Sequence, residues 1–300
     1  MVQIILDSLI FGSELALLAI GVTMVYGSLR FPNFAHVEFA TIGAYLALVL
    51  WPFIGLGLSI VISIILAGII GVLSDFLIFR RLRSSTPIML MITSFGLGIV
   101  LRESVRAIWG TEPHFYPLGL QKPWQILNAN ITPVQGSIIL IAIACTLFFH
   151  LLLNKTKLGI AMRATADNPQ LAEASAIHTE RVIQMVWLIG CGFAALGGIL
   201  IGLETQIHPR MGFGIIIPVF CAAILGGIGN PYGAVLGAAI VAFAENIGLS
   251  INWAPLGNFL GLTSKSYLSI PTGYKEAIPF LILIIVLLFR PQGLMRDPSK

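Results

Sequence analysis

Residues 154–182 read NKTKLGIAMRATADNPQLAEASAIHTERV, a polar stretch set between two strongly apolar ones, and its reading decides the fold. Lys155, Lys157, Arg163 and Arg181 place it on the cytoplasmic side of a membrane, where basic loops are retained. The stretch also carries its own helix-start signal. Asp167 or Asn168 can cap a first turn, and Pro169 fits the first helical position, where a missing N–H costs nothing. With residues 169–178 helical, Leu171, Ala174, Ser175 and His178 share a small, mostly uncharged face. A short helix held in the cytoplasm between two spans is suited to docking on a soluble partner. That points to mechanical coupling rather than chemistry of the chain's own.

The flanking composition makes this a membrane protein. The 300 residues are 57% hydrophobic and 10% charged, with a mean hydropathy of +0.95; a soluble domain is about a quarter charged. Residues 54–79 carry Asp75 as their one charge, and about 20 apolar residues suffice to cross a bilayer. The N-terminus lacks a basic region, and Asp7 and Glu14 interrupt its apolar run, so the first span is expected to stay in the mature chain. The pI near 9.1 reads as loop bias, not as a nucleic-acid footprint. Cys145, Cys191 and Cys221 all fall in apolar segments and read as free thiols without metal spacing.

The expected fold is all-α and polytopic, one transmembrane domain over residues 1–300 with the 154–182 loop inside it. Spans are expected at 4–28, 38–51, 57–79, 88–108, 134–153, 183–203, 215–229, 233–250 and 275–290, about eight or nine transmembrane helices. One segment beside the glycine turn at 226–233 is open to being broken or re-entrant. Arg80–Arg83, the 154–182 loop and the tail FRPQGLMRDPSK are basic, which puts the N-terminus outside and the C-terminus in the cytoplasm. Outer segments 109–133 and 251–274 then carry Trp109, Tyr116, Trp124, Trp253, Tyr267 and Tyr274 as interfacial anchors. Residues 15–47 and 187–229 share an order of apolar span, polar break and small-residue segment, an inverted repeat in outline.

Two sets of residues are candidates for a translocation pathway. Asn33, His36 and Glu38 follow the helix-breaking Pro32, where freed backbone groups need new partners; they either cap the next helix or line the route. Glu14 and Glu245, with Asn246 beside it, are the deepest intramembrane carboxylates. Arg102 and Glu103 can pair or reach for the interface. The glycine-rich AAILGGIGNPYGA (222–234) is a tight turn and not a phosphate loop, since no Gly-Lys-Ser/Thr follows. No paired-His, Ser/Lys or metal-ligand spacing marks an enzyme. A self-contained secondary transporter would need a clustered relay of carboxylates or histidines, and none is visible.

LLAIGVTMVYGSLRFPNFAHVEFATIGAYLA (17–47), LGIAMRATADNPQLAEASAIHTERV (158–182), AAILGGIGNPYGAVLG (222–237) and FRPQGL (289–294) together resemble the LivH-type permeases of branched-chain amino acid ABC importers. The resemblance spans nearly the whole chain in order. It implies a multi-pass subunit of a bacterial or archaeal cytoplasmic (inner) membrane. Its implied partners are a second related permease, two cytoplasmic ATPases that use ATP and Mg2+, and an external substrate-binding protein. It implies no cofactor or catalytic residue on this chain. It assigns ATPase docking to Asp167, Asn168, Pro169, Leu171, Ala174 and Ile177. The chain departs from the family in two places: Val37 and Glu38 stand where Gly and Asp are usual, and Ala176 stands where Gly is usual. The first leaves the solute open among branched-chain or other small neutral amino acids, urea and short amides. The second is expected to be tolerated, Ala extending a helix better than Gly.

Overall fold

The computed structural model describes residues 1–119, 121–126, 129–251, 271–290 and 292–295; Trp253, Tyr267 and the last five residues of the tail lie outside them. The elements are α1 (Val2–Leu29), a 3-10 turn (Phe34–Val37), α2 (Glu38–Ser74), a π turn (Asp75–Phe79), α3 (Arg80–Leu82), α4 (Pro87–Trp109), β1 (Trp124–Ile126), β2 (Ala129–Ile131), α5 (Pro133–Lys155), α6 (Lys157–Asp167), α7 (Pro169–Ala174), α8 (Thr179–Glu204), α9 (Met211–Gly214), α10 (Ile216–Gly226), α11 (Pro231–Ser250) and α12 (Ala277–Phe289). The antiparallel pair β1–β2 is a small exception to an otherwise helical chain.

Four helices start on the same local chemistry. Thr86, Thr132, Asn168 and Asn230 each accept a backbone N–H of the following turn through the side chain, and each is followed by a proline at the first helical position. The cap satisfies a donor that hydrocarbon could not, and proline removes another.

Among the described residues, six helical segments are long and apolar enough to cross a membrane: Val2–Leu29, Phe34–Leu82, Pro87–Trp109, Pro133–Lys155, Thr179–Glu204 and Pro231–Ser250. The second is 49 residues long, which as a straight helix would measure about 73 Å. It is not straight. Gly55 breaks it with φ 73° and ψ 166°, a conformation that residues with a Cβ avoid, three residues after Pro52. The Phe31 and Phe79 rings stack 5.3 Å apart, so the chain has returned to its starting level. The segments expected at 38–51 and 57–79 are therefore the two arms of a hairpin. By contrast, α10 and α12 have 11 and 13 residues, about 16 and 20 Å against a hydrocarbon core of about 30 Å. Residues expected to span at 215–229 thus form a half-length helix, because Gly227 ends it with φ 108°.

The inside of the bundle is α1 and α8, whose apolar windows are 83% and 78% buried, against 22% for α4 and 17% for α5. The two run antiparallel, with Gly197 beside Glu14 and Leu18, and Gly190 beside Gly21 and Val25. Both arms of the hairpin lie on α8: Gly43 meets Ala195 and Ala40 meets Gly198, while Gly68 meets Leu188 and Gly71 meets Cys191. At such contacts two backbones touch directly, which is how helices associate without a hydrophobic driving force. Tyr116 is not an interfacial anchor. It is buried, stacks on Trp51 at 5.4 Å and donates its hydroxyl to the Ala44 carbonyl at 2.9 Å; Trp124 and Tyr274 are exposed.

A side chain at Gly198 would run into the Ala40 backbone, whereas at Gly96 it would meet open space. Gly198→Val is expected to cost about 3 kcal/mol or more, and Gly96→Ala to be neutral or to stabilise by up to about 1 kcal/mol. Thermal unfolding in detergent tests this; an unchanged midpoint for Gly198→Val would contradict the packing.

Candidate translocation site and coupling helix

The polar 154–182 stretch folds into two short helices. Thr156 caps α6 by accepting the Gly159 N–H at 3.1 Å. Of the two expected caps for α7, Asn168 serves, accepting the Leu171 N–H at 3.1 Å; Asp167 is the last residue of α6. The helix ends sooner than expected. It stops at Ala174, and Ala176 adopts φ 62° while the Ile177 N–H returns to the Ala172 carbonyl at 3.0 Å. Ser175 and His178 therefore do not extend a shared face with Leu171 and Ala174. Ala172 points inward; Asp167, Asn168, Pro169, Leu171 and Ala174 are exposed, Leu171 at 65%, and Ile177 is half-buried. Tolerance of Ala176 also needs another reason, since this residue lies beyond the helix in a left-handed position where Gly is favoured.

Both ends of this unit are tied to the bundle. Arg30, in a left-handed conformation at the end of α1, donates from Nη2 to the carbonyls of Ala166 at 2.9 Å and Asp167 at 3.2 Å. A guanidinium on the last carbonyls of α6 satisfies acceptors the helix leaves open. On the other side, the Thr179 hydroxyl donates to Glu173, and Glu180 pairs with Arg80 at 3.2 Å and with Arg83. Arg83 also holds the buried Asp75 at 2.7 Å, in the π turn at the end of the hairpin's second arm.

Deeper in the bundle, two helix breaks meet. The first lies between α1 and α2, the second between α8 and α10. The Gly212 N–H donates to the Thr41 hydroxyl at 3.0 Å, and the Phe34 and Phe220 rings lie 4.9 Å apart. The first break carries three expected pathway residues. Asn33 caps the 3-10 turn by accepting the Ala35 N–H at 3.2 Å, so its capping role is met, while its Nδ2 has no partner among the described residues. His36 is fully buried against Gly21 and Gly190, with neither ring nitrogen paired among the described residues. Glu38 is 3% exposed and pairs with Arg102 of α4 at 3.4 Å. The Arg102 guanidinium lies 4.6 Å over the Phe213 ring, a cation–π contact from the second break.

Glu14 and Glu245 belong to a different group. Both are buried. Glu14 lies beside Glu204, which accepts from Gln135 at 3.1 Å. Glu245 pairs with Lys275 at 3.4 Å, and that ammonium also sits 4.0 Å over the Phe11 ring. Asn246 is half-buried beside them. On α1, Glu14 lies seven residues before Gly21, the glycine beside His36, which is about 10 Å along the helix. A third feature is an open cleft lined by Arg106, Thr111, Gln206, His208, Pro209 and Arg210, where the His114 and Ile207 backbones pair. Burial, reinforced by Arg210, holds the His208 imidazole below its ordinary range.

The family model described as "Branched-chain amino acid transport system / permease component" matches residues 4–287. The chain is 30% identical to the high-affinity branched-chain amino acid transport system permease protein LivH of Escherichia coli K12, over 99% of this chain and 96% of that one. It is equally 30% identical to the corresponding BraD of Pseudomonas aeruginosa, with the same coverage. The chain belongs to this permease family. The solved PsaBC complex of Streptococcus pneumoniae is similar at a TM-score of 0.48 and 10% identity, over 95% of this chain and 91% of that one.

In this permease, three residues tie the expected sites together that the sequence did not single out for those roles. Arg30 is one, the clasp on α6. Arg102 and Lys275 are the others, counter-charges to Glu38 and Glu245. A buried carboxylate needs such a partner, so the signal existed; which cation serves depends on long-range packing.

Relief of the left-handed strain makes Ala176→Gly stabilising for the α7 turn by about 1 kcal/mol, and loss of the cap makes Asn168→Ala destabilising by about 1 kcal/mol. Hydrogen exchange at the Leu171 and Ile177 amides reads both. Faster Ile177 exchange in Ala176→Gly would contradict the turn assignment.

Proposed function

We propose that this permease is the membrane subunit of an ATP-driven importer of branched-chain or other small neutral amino acids in a bacterial or archaeal inner membrane. The reading rests chiefly on α7: a capped, exposed helix hung between the ends of α1 and α8, in a chain of a transport-permease family. Asp167, Asn168, Pro169, Leu171, Ala174 and Ile177 form the knob on which an ATPase docks. Two ATPases, a second related permease and an external binding protein complete the assembly, and ATP and Mg2+ belong to the ATPases.

In such an importer the basic 80–83, 154–182 and tail segments face the cytoplasm, so α1 begins outside. The Arg106–His208–Arg210 cleft then faces outward, where a binding protein delivers the solute. The antiparallel run of α1 and α8, each followed by a break, a four-residue helical turn and another helix, supports an inverted repeat. Closure of the ATPases moves α7, the Arg30 clasp carries that motion to α1, and Glu180 carries it to α8 and the hairpin. The two breaks part and close in response, giving alternating access. Scarcity of unpaired charge near them suits a solute of zero net charge.

Leu171→Asp with Ala174→Asp is expected to abolish substrate-stimulated ATP hydrolysis by the assembled importer while leaving the chain in the membrane. Normal stimulation in the double variant would overturn the docking assignment.

A further inference from the structure

Glu38 and Arg102 sit where the two helix breaks meet, and their surroundings suit more than a structural ion pair. Their contact is 3.4 Å, longer than the ~2.7–2.9 Å of a well-made charge-assisted hydrogen bond. Glu38 is 3% exposed, and its second carboxylate oxygen has no partner among the described residues. Arg102 reaches Glu103 only at 3.6 Å and otherwise covers the Phe213 ring. Two opposite charges are thus brought into an apolar membrane site and left incompletely satisfied. That costs stability unless another group completes them.

The walls of the same cleft are apolar. Phe34, Phe95, Ile99, Phe213 and Ile216 line it, drawn from the first break, α4 and the second break. Gly98 faces Ala35 and the Glu38 side chain, which leaves α4 close to the first break at this level. The cleft is narrow in this conformation, and an amino acid fits it only if the two breaks separate.

We propose that Glu38 and Arg102 are the transient binding site for a zwitterionic amino acid with an apolar side chain, an assignment that rests on the importer reading above. The α-ammonium group takes Glu38, the α-carboxylate takes Arg102, and the solute enters between them as their missing partners. Its side chain lies against Phe34, Phe95, Ile99, Phe213 and Ile216. Because the solute brings one charge of each sign, the site stays neutral whether empty or filled. An uncharged urea or short amide can hydrogen-bond to both groups but brings no charge to either, so the pair favours the zwitterion over such solutes. Glu38, one of the positions that departs from the family pattern, becomes a residue that sets the solute class.

The test uses the full importer, the chain with its companion subunits and binding protein, in vesicles supplied with ATP. Uptake of labelled leucine, alanine and urea is measured in parallel. Wild type is expected to take up leucine and to exclude urea. Glu38→Gln and Arg102→Gln are each expected to lower leucine uptake at least about tenfold, as for loss of one charge-assisted contact. Ile99→Trp, at a position 40% exposed, narrows the apolar wall and is expected to lower the leucine-to-alanine uptake ratio several-fold; a ratio does not depend on how much protein folds. Leucine uptake unchanged in Glu38→Gln, or an unchanged ratio in Ile99→Trp, would overturn the site while leaving the importer reading standing. Absence of ATP-dependent uptake of any of the three solutes by wild type would overturn both.

Discussion

The centre of this bundle depends on backbone-to-backbone contact along α8. Lipid tails are as apolar as leucine, so burial of apolar area gives helices little reason to associate within a membrane. Close approach supplies dispersion contacts instead, and small residues permit it. Along α8, Gly190, Ala195, Gly197 and Gly198 let α1 and the first arm of the hairpin settle directly onto the helix, and Gly68 and Gly71 do the same from the second arm. With α8 enclosed on these sides, α4 and α5 can remain largely uncovered on the outside. Those outer faces are free for lipid or for other subunits.

That same tight centre makes the two breaks possible. Irregular backbone at membrane depth survives only where protein satisfies it. Asn33 caps the first break, Ser94, whose own hydroxyl donates to the Met91 carbonyl at 2.7 Å, accepts the Phe34 N–H at 3.1 Å, and Thr41 accepts the Gly212 N–H of the second. Neighbouring helices therefore supply much of what holds the breaks. Motion of α1 or α4 relative to α8 changes those partners directly. The polar unit at 154–182 is fastened to the ends of α1 and α8, so a force on α7 reaches both breaks through rigid helices. Coupling between a docked ATPase and the solute route would consist of that mechanical continuity.

Much of this was legible in the sequence. The helical class, the polar loop with its Asn168–Pro169 start and the break after Pro32 follow from local chemistry and hydropathy, and family membership followed from motifs distributed along the chain. Three things were not legible, each for a physical reason. Helix length at 216–226 was overestimated because apolar composition continues to Ile228, past the boundary that Gly227 sets; at 275–290 the flanking charged residues Lys275, Glu276 and Arg290 were counted into a span whose helix covers only 277–289. The end of α7 was misplaced because Ala176 has no sequence signal for its left-handed conformation; a glycine there would have supplied one. Tyr116 was read as an anchor because an aromatic in an outer loop looks the same whether it faces lipid or stacks on Trp51. The candidate site was half legible. Glu38 was visible as a polar residue at the break after Pro32 and Glu245 as a costly intramembrane charge, whereas their counter-charges, 64 and 30 residues away at Arg102 and Lys275, depend on which helices meet.

The most direct test of the central claim is isolation of the tagged chain from its native membrane in mild detergent, with bound proteins identified by mass spectrometry. If α7 is the ATPase dock, wild type retains ATP-binding subunits and a second permease of the same family, and Leu171→Asp with Ala174→Asp loses the ATPases. Recovery of the chain alone, active in solute transport after reconstitution without ATP, would contradict the importer reading.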